Sequence, residues 1–327
     1  MSNTPQSKRP LVARLALAAS AGLACFGLAG VAQAGAPLPF DFPTPPPNIT
    51  VVQFYNQFSS GSSFYTANGT EVGNTHVATD VPIVRVVHTF SPIDGMIPGV
   101  QIIAPYVGFL GNTEVGGSSL TRNSGFAEPL LSAFLKVYND PAEDQVLTLT
   151  YFISPPTGAY NPNYTLNAST NNYVNNFEVL YSHIVLGTPK TPHLDFDVSL
   201  DSYIYSNNNN FTSGFFHGAE HTQPAEQILA YLPYYFHPQT GSYVGLSFEQ
   251  TFGGKQYLTG NVTLPNGFSF PDKIDTGNRN DITQVGIVAG SFVAPTIAVQ
   301  TQLATDVGVR GGVKNDVVFL VQVAKIF

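Results

Sequence analysis

The chain has 327 residues, 43% of them hydrophobic and only 10% charged, with 13 Lys and Arg against 21 Asp and Glu. That acidic balance argues against nucleic acid as a partner. Ordinary soluble domains carry about 25% charged residues, and low charge without long apolar runs is what alternating lipid-facing and water-facing positions give.

The chain opens with a segment that reads as an export signal. Lys8, Arg9 and Arg14 form a basic start, residues 15–31 are an Ala, Leu and Gly-rich apolar run, and Ala32-Gln33-Ala34 precedes Gly35 as a small-x-small cleavage site. Cleavage is expected between Ala34 and Gly35, making residues 1–34 a signal peptide. The only cysteine, Cys25, lies inside it, so no disulfide is expected beyond it. Removing the three basic residues leaves 13 − 3 = 10 cations against 21 acids, a net charge of about −11. No run of about 18 apolar residues follows Gly35, which excludes a helical membrane protein.

Residues 35–47 hold too many prolines for helix or central strand. They read either as a spacer leading to the fold or as a segment tucked into a lumen. From residue 48 onward twelve strand-like runs follow, at 48–58, 77–90, 99–108, 124–138, 145–154, 174–186, 193–205, 223–236, 242–252, 281–292, 296–306 and 315–327. The clearest is 193–205, where Leu194, Phe196, Val198, Leu200 and Ile204 face one way and His193, Asp195, Asp197, Ser199, Asp201 and Tyr203 the other. The connections alternate long and short. The long ones (59–76, 109–123, 155–173, 206–222, 253–280 and a final 307–314) are rich in Asn, Gly, Ser and Thr, and the four asparagines at 207–210 read as a solvated tip. The short ones carry Pro, Gly and Asp.

This alternation predicts an all-β fold: one twelve-stranded antiparallel transmembrane β-barrel over residues 48–327, with long external loops and short periplasmic turns. An even strand count returns both termini to the periplasmic side. The last strand ends on Phe327 without a tail, as closure of a barrel on its first strand requires. A terminal Phe also resembles the signal read by the outer-membrane assembly machinery, although Lys325 breaks the apolar face it ends. Phe54, Tyr55, Phe58, Phe90, Tyr231, Tyr234, Tyr235, Phe236 and Phe327 fall near strand ends as interfacial girdles would. The expected location is a bacterial outer membrane, with its lipid and assembly machinery as partners. Oligomeric state is not legible.

The polar strand faces would line the lumen, which makes Arg85, Glu128, Lys136, Glu178, Asp195, Asp197, Asp201, Tyr203 and Glu249 the permeation candidates. Three carboxylates on one face, at 195, 197 and 201, repel unless a cation such as Arg85 or Lys136 answers them. The same residues could simply solvate the interior or fix strand register. Catalysis is not expected: Ser182 and His183 are neighbours on a strand and point to opposite faces, and the pair His193 and Asp195 has no supporting constellation. No phosphate loop, zinc cluster or dinucleotide fingerprint occurs, so neither cofactor nor metal is expected.

Three stretches are similar to a known group. Ser124-Gly-Phe-Ala-Glu-Pro129 resembles a Gly-x-Gly-Asp-Pro-like element, with Ala127 and Glu128 in place of the commoner Gly-Asp. Ser154-Pro-Pro-Thr-Gly-Ala-Tyr160, with residues 166–173, resembles a Pro-Thr-Gly-x-Tyr and Asn-x-Gly-x-Asn loop, and Val100-Gln-Ile-Ile-Ala-Pro105 a third strand. The chain thus resembles the outer-membrane family called MetA-pathway of phenol degradation, and the likeness runs from about residue 51 to 327. The resemblance implies passive entry of small hydrophobic or aromatic compounds. The alternative is a structural or interaction barrel with a blocked lumen, whose external loops bind a partner.

Overall fold

The computed structural model describes residues 36–43, 45–140, 145–279 and 281–327. The cleavage positions Ala34 and Gly35 lie outside them.

Twelve long strands close on themselves: β1 (Thr50–Tyr65), β2 (His76–Thr89), β3 (Ile97–Val115), β4 (Leu130–Asp140), β5 (Gln145–Ser154) and β6 (Val174–Leu186), then β7 (His193–Tyr205), β8 (Ala225–His237), β9 (Ser242–Gly253), β10 (Asp281–Ala294), β11 (Ile297–Arg310) and β12 (Gly312–Ile326). Every neighbour is antiparallel, and β1 pairs with both β2 and β12, from Val51 opposite Ile326 to Tyr65 opposite Gly312. No sheet edge is left to satisfy in lipid. Burial alternates most cleanly in β7, where every second residue from His193 to Tyr203 is buried. No helix of the described residues is long and apolar enough to cross a membrane.

The start of β1 and the end of β12 meet at one rim, where Phe327 and Thr50 exchange backbone hydrogen bonds of 2.9 and 3.4 Å. The turns there are short, and we call this the terminal end. The opposite loop end carries the long connections, and by the rule for such barrels it faces outward. Lys325 stays near the terminal rim, donating to Thr296 Oγ1 at 2.5 Å with its Nζ 5.8 Å over the Phe327 ring. Its stem lies on the apolar face while its charge leaves it.

Three expectations about the connections need correction. The Ser-rich stretch after residue 58 is strand, because β1 continues along β12 through irregularities at Ser60, Gly61 and Ser63. A side chain at Gly61 would strike the Lys314 carbonyl oxygen at 2.3 Å, so a glycine is needed at this crossing. The final connection shrinks from residues 307–314 to Gly311 alone, whose φ of 73° makes the tight turn. The fourth strand starts at Leu130, while Gly125–Phe126 pair separately with Tyr106 and Val107.

The largest correction is external. Residues 206–222 and 253–280 are not merely solvated loops: Asn208–Ser213, Phe216–Thr222, Gln256–Thr263 and Ser269–Asp275 form a four-stranded sheet. Its own core is Phe211, Phe216, Leu258 and Val262, packed against Leu264, Phe270 and Ile274. Asn208, read as part of a solvated tip, is buried. Burial pushes the Glu220 carboxyl in this sheet up from 4.5 to about 8. The folded sheet therefore binds the proton more tightly than the unfolded chain, and it loses stability as pH rises from about 4.5 to about 8. Hydrogen exchange across residues 208–222 and 256–275 should accelerate over that window, by at most about 1.4 kcal/mol per pH unit. Glu220→Gln should flatten the dependence.

Candidate functional site

The lumen is occupied by residues 36–43, which precede the first strand. Of the two readings of the proline-rich segment, the structure takes the second: Pro39–Asp41 form one 3-10 turn inside the barrel, with Leu38 and Phe42 fully buried. Prolines stiffen the segment without asking for ladder hydrogen bonds. Asp41 folds the turn on itself by accepting from the Leu38 N–H at 2.8 Å.

Around it the barrel wall supplies matching chemistry. The Asp41 carboxylate accepts from Gln53 Nε2 at 2.6 Å and Gln322 Nε2 at 3.3 Å, with the Tyr55 hydroxyl at 3.4 Å and the Arg85 guanidinium at 3.6 Å. Arg85 also donates to Gln101 Oε1 at 2.7 Å and to the Tyr55 hydroxyl at 3.1 Å. Gln300 Oε1 accepts from the Phe40 N–H at 2.9 Å and from the Tyr243 hydroxyl at 2.6 Å. The Phe40 ring packs against Tyr235, Tyr243 and Phe292, and Phe42 meets Tyr231 edge-on at 6.0 Å. Tyr55, Tyr231 and Tyr235 are thus not girdle residues. They point inward because of their strand parity, while Phe54, Phe90, Tyr234, Phe236 and Phe327 are exposed on the outside.

The segment divides the lumen in two. Towards the loop end a cleft runs past Ala36, Pro37, Leu130, Phe152, Glu178 and Tyr203. Towards the terminal end lies a chamber of about 200 Å³. Its lower wall is apolar, from Ile49, Val51, Val87, Phe134, Phe292 and Ile326, and its upper end carries Asp41, Gln53, Arg85, Gln101, Thr148 and Thr150.

All nine permeation candidates are buried on inward-facing positions. They are not one constellation. Asp197 accepts from Ser182 Oγ at 2.6 Å, and Asp201 from Asn176 Nδ2 at 2.8 Å and Ser199 Oγ at 2.5 Å. Asp195 lies 3.7 Å from His193 Nε2, whose ring stacks on Tyr235. Glu249 accepts from Gln227 Nε2 at 2.8 Å, and Gln227 Oε1 from the Tyr203 hydroxyl at 3.0 Å. Lys136 is buried on β4, and Glu178 stands directly opposite Asp201 in the ladder. The acid that Arg85 pairs with is Asp41. Asp41 is the residue the sequence reading missed, and its signal was an acid between two phenylalanines in a segment otherwise without charge.

Glu128 serves the rim. Its Oε1 accepts from the Thr170 and Asn171 N–H groups at 2.8 and 2.9 Å and from Ser169 Oγ. Ala159 N–H donates to the Phe126 carbonyl at 2.7 Å, and Ser154 Oγ to the Pro129 carbonyl at 3.0 Å. Two of the stretches that carried the family resemblance thus meet at one place, clamping the loop after β5 to the start of β4.

The sequence profile described as "Putative MetA-pathway of phenol degradation" matches residues 61–319. An outer membrane channel from Pseudomonas putida F1 superposes with a TM-score of 0.73 at 22% identity, covering 89% of this chain and 100% of that one. The transport unit of the autotransporter AIDA-I from Escherichia coli matches at a TM-score of 0.45 and 9% identity, over 96% of this chain and 97% of that one. A mutant of TodX, a monoaromatic hydrocarbon channel, matches at 0.38 and 8% identity, over 87% and 90%. No curated protein matches the chain.

Proposed function

The chain belongs to the MetA-pathway of phenol degradation family and folds as an outer-membrane β-barrel channel, and from this premise we propose that it admits small hydrophobic or aromatic compounds passively. The terminal-end chamber carries the reading. Its volume of about 200 Å³ exceeds the roughly 150 Å³ of an engineered apolar cavity that takes up benzene. Its apolar lower wall and polar upper end suit a ring with one polar substituent.

In this reading a solute enters among the long loops and passes the wall formed by Glu178, Asp201, Tyr203, Gln227 and Glu249. It reaches the terminal chamber when residues 36–43 move aside. Asp195, Asp197 and Lys136 form the rest of the polar wall. No step needs a nucleophile, a cofactor or a metal, and flux follows the concentration gradient. Phe327 serves assembly of the barrel.

A second reading has one observation in its favour. The external sheet has a hydrophobic core of its own, which a channel mouth does not require, so the barrel could be an anchor for a partner-binding surface. Labelled toluene, phenol and benzoate separate the two. Cells overexpressing the protein should take up at least one of them faster than cells lacking it, with saturation, and Asp195→Asn with Asp197→Asn should change the rate. Equal rates with the barrel verified in the outer membrane would sink the channel reading and leave the anchor.

A further inference from the structure

Residues 40 and 41 sit in the lumen the way a ligand would. The Phe40 ring lies in an aromatic cage, 5.1 Å from Tyr243, 5.0 Å from Phe292 and 6.4 Å from Tyr235 between centroids. One residue on, the Asp41 carboxylate is received by Gln53, Tyr55, Gln322 and Arg85. A ring beside a carboxylate is the chemistry of a small aromatic acid. We propose that Phe40 and Asp41 are a built-in stand-in for substrate, and that the channel takes aromatic monocarboxylates whose carboxylate replaces Asp41 on Arg85. This rests on the uptake reading above and narrows its substrate class.

Charge decides which solute can make the exchange. The Arg85 side chain is 11% exposed and that of its partner Asp41 3%. A neutral hydrocarbon that pushed Asp41 aside would leave a buried guanidinium without its counter-ion, which is strongly unfavourable. An aromatic acid brings a carboxylate of its own, so the charge around Arg85 is the same before and after. The planar guanidinium and the Gln53 and Gln322 amides can present several donors to one carboxylate. An aromatic amine would meet the same cation and be repelled. Elsewhere the buried lumen wall is mostly acidic, with Glu178, Asp195, Asp197, Asp201 and Glu249 facing in and Lys136 the other buried cation among the described residues. An anion is therefore held at Arg85 and repelled by most of the rest, which favours one defined site over diffuse retention.

The test is binding to the purified full chain in detergent, with labelled benzoate, toluene and benzylamine as probes. Benzoate should bind at least about tenfold more tightly than the other two, as a charge-assisted contact implies. Arg85→Gln should abolish that preference, with heat-dependent gel mobility checking that the barrel still forms. Asp41→Asn should act in the opposite direction and tighten benzoate, because it weakens the competitor and keeps the receptor. A merely structural ion pair would give both substitutions the same sign. Toluene binding as well as benzoate, or Asp41→Asn weakening benzoate, overturns the proposal, and the Asp41 arm decides even if Arg85→Gln does not fold. Benzoate binding as expected without crossing into vesicles would leave the carboxylate site at Arg85 standing and remove the uptake reading instead.

Discussion

Leu38→Asp combined with Phe42→Asp should open the barrel and produce the largest functional change available in this chain. Both side chains are buried at 1% exposure or less, inside the apolar cluster that includes Tyr55, Leu180, Tyr231 and Tyr243. Burying two such groups is worth about 3–6 kcal/mol, part of which is spent in ordering the segment. Carboxylates in their place have no counter-ion, so the segment should leave the lumen. The cleft on one side and the chamber on the other then join. If the seated form holds ~99% of the population, its loss raises permeation on the order of 100-fold. Single-channel conductance and swelling of proteoliposomes in a small sugar read this directly. An unchanged conductance would mean that the wall residues, not the N-terminal segment, close the path. Arg85→Gln, by contrast, removes the receptor for Asp41 but leaves Leu38 and Phe42 to hold the segment.

The barrel was legible because strand parity is written in residue type. On β7 each inward position is polar or aromatic and each outward one from 194 to 200 is aliphatic or Phe, so face and register follow from a period of two. The same reasoning placed Arg85, Glu178 and Glu249 inside. It failed where parity carries no chemical contrast. Tyr55 and Tyr231 are aromatic residues near strand ends, and residue type alone does not tell a lumen tyrosine from an interfacial one. Their hydroxyl partners settle the matter only in three dimensions, as Tyr55 shows with Gln53 Oε1 at 2.9 Å. The external sheet was hidden by composition: Gly218, Gly260 and several asparagines interrupt the apolar positions Phe216, Leu258 and Val262. Asp41 was out of reach for another reason. Its partners Gln53, Arg85 and Gln322 are 12, 44 and 281 residues away, so no local pattern announces them.

Leu246→Arg should cost more assembly than any other single change on the outer face. Leu246 is 61% exposed near the middle of β9, directly opposite Ile287 of β10 and Leu232 of β8, themselves 54% and 41% exposed. In water three such side chains in a row would be an aggregation-prone stripe. In a bilayer they are the lipid contact, and an arginine at the midplane is expected to cost about 2–4 kcal/mol. The neighbouring inward position offers the control. Ser247 is buried, accepts from Gln302 Nε2 at 3.2 Å and faces the lumen, so Ser247→Thr keeps the hydroxyl and leaves the lipid face untouched. Folding into lipid vesicles, followed by heat-dependent gel mobility across a urea titration, should show Leu246→Arg shifted towards the unfolded form and Ser247→Thr far less affected. If Leu246→Arg folds as well as the parent, this face of β9 does not meet hydrocarbon, and the membrane would have to cross the barrel at a different height.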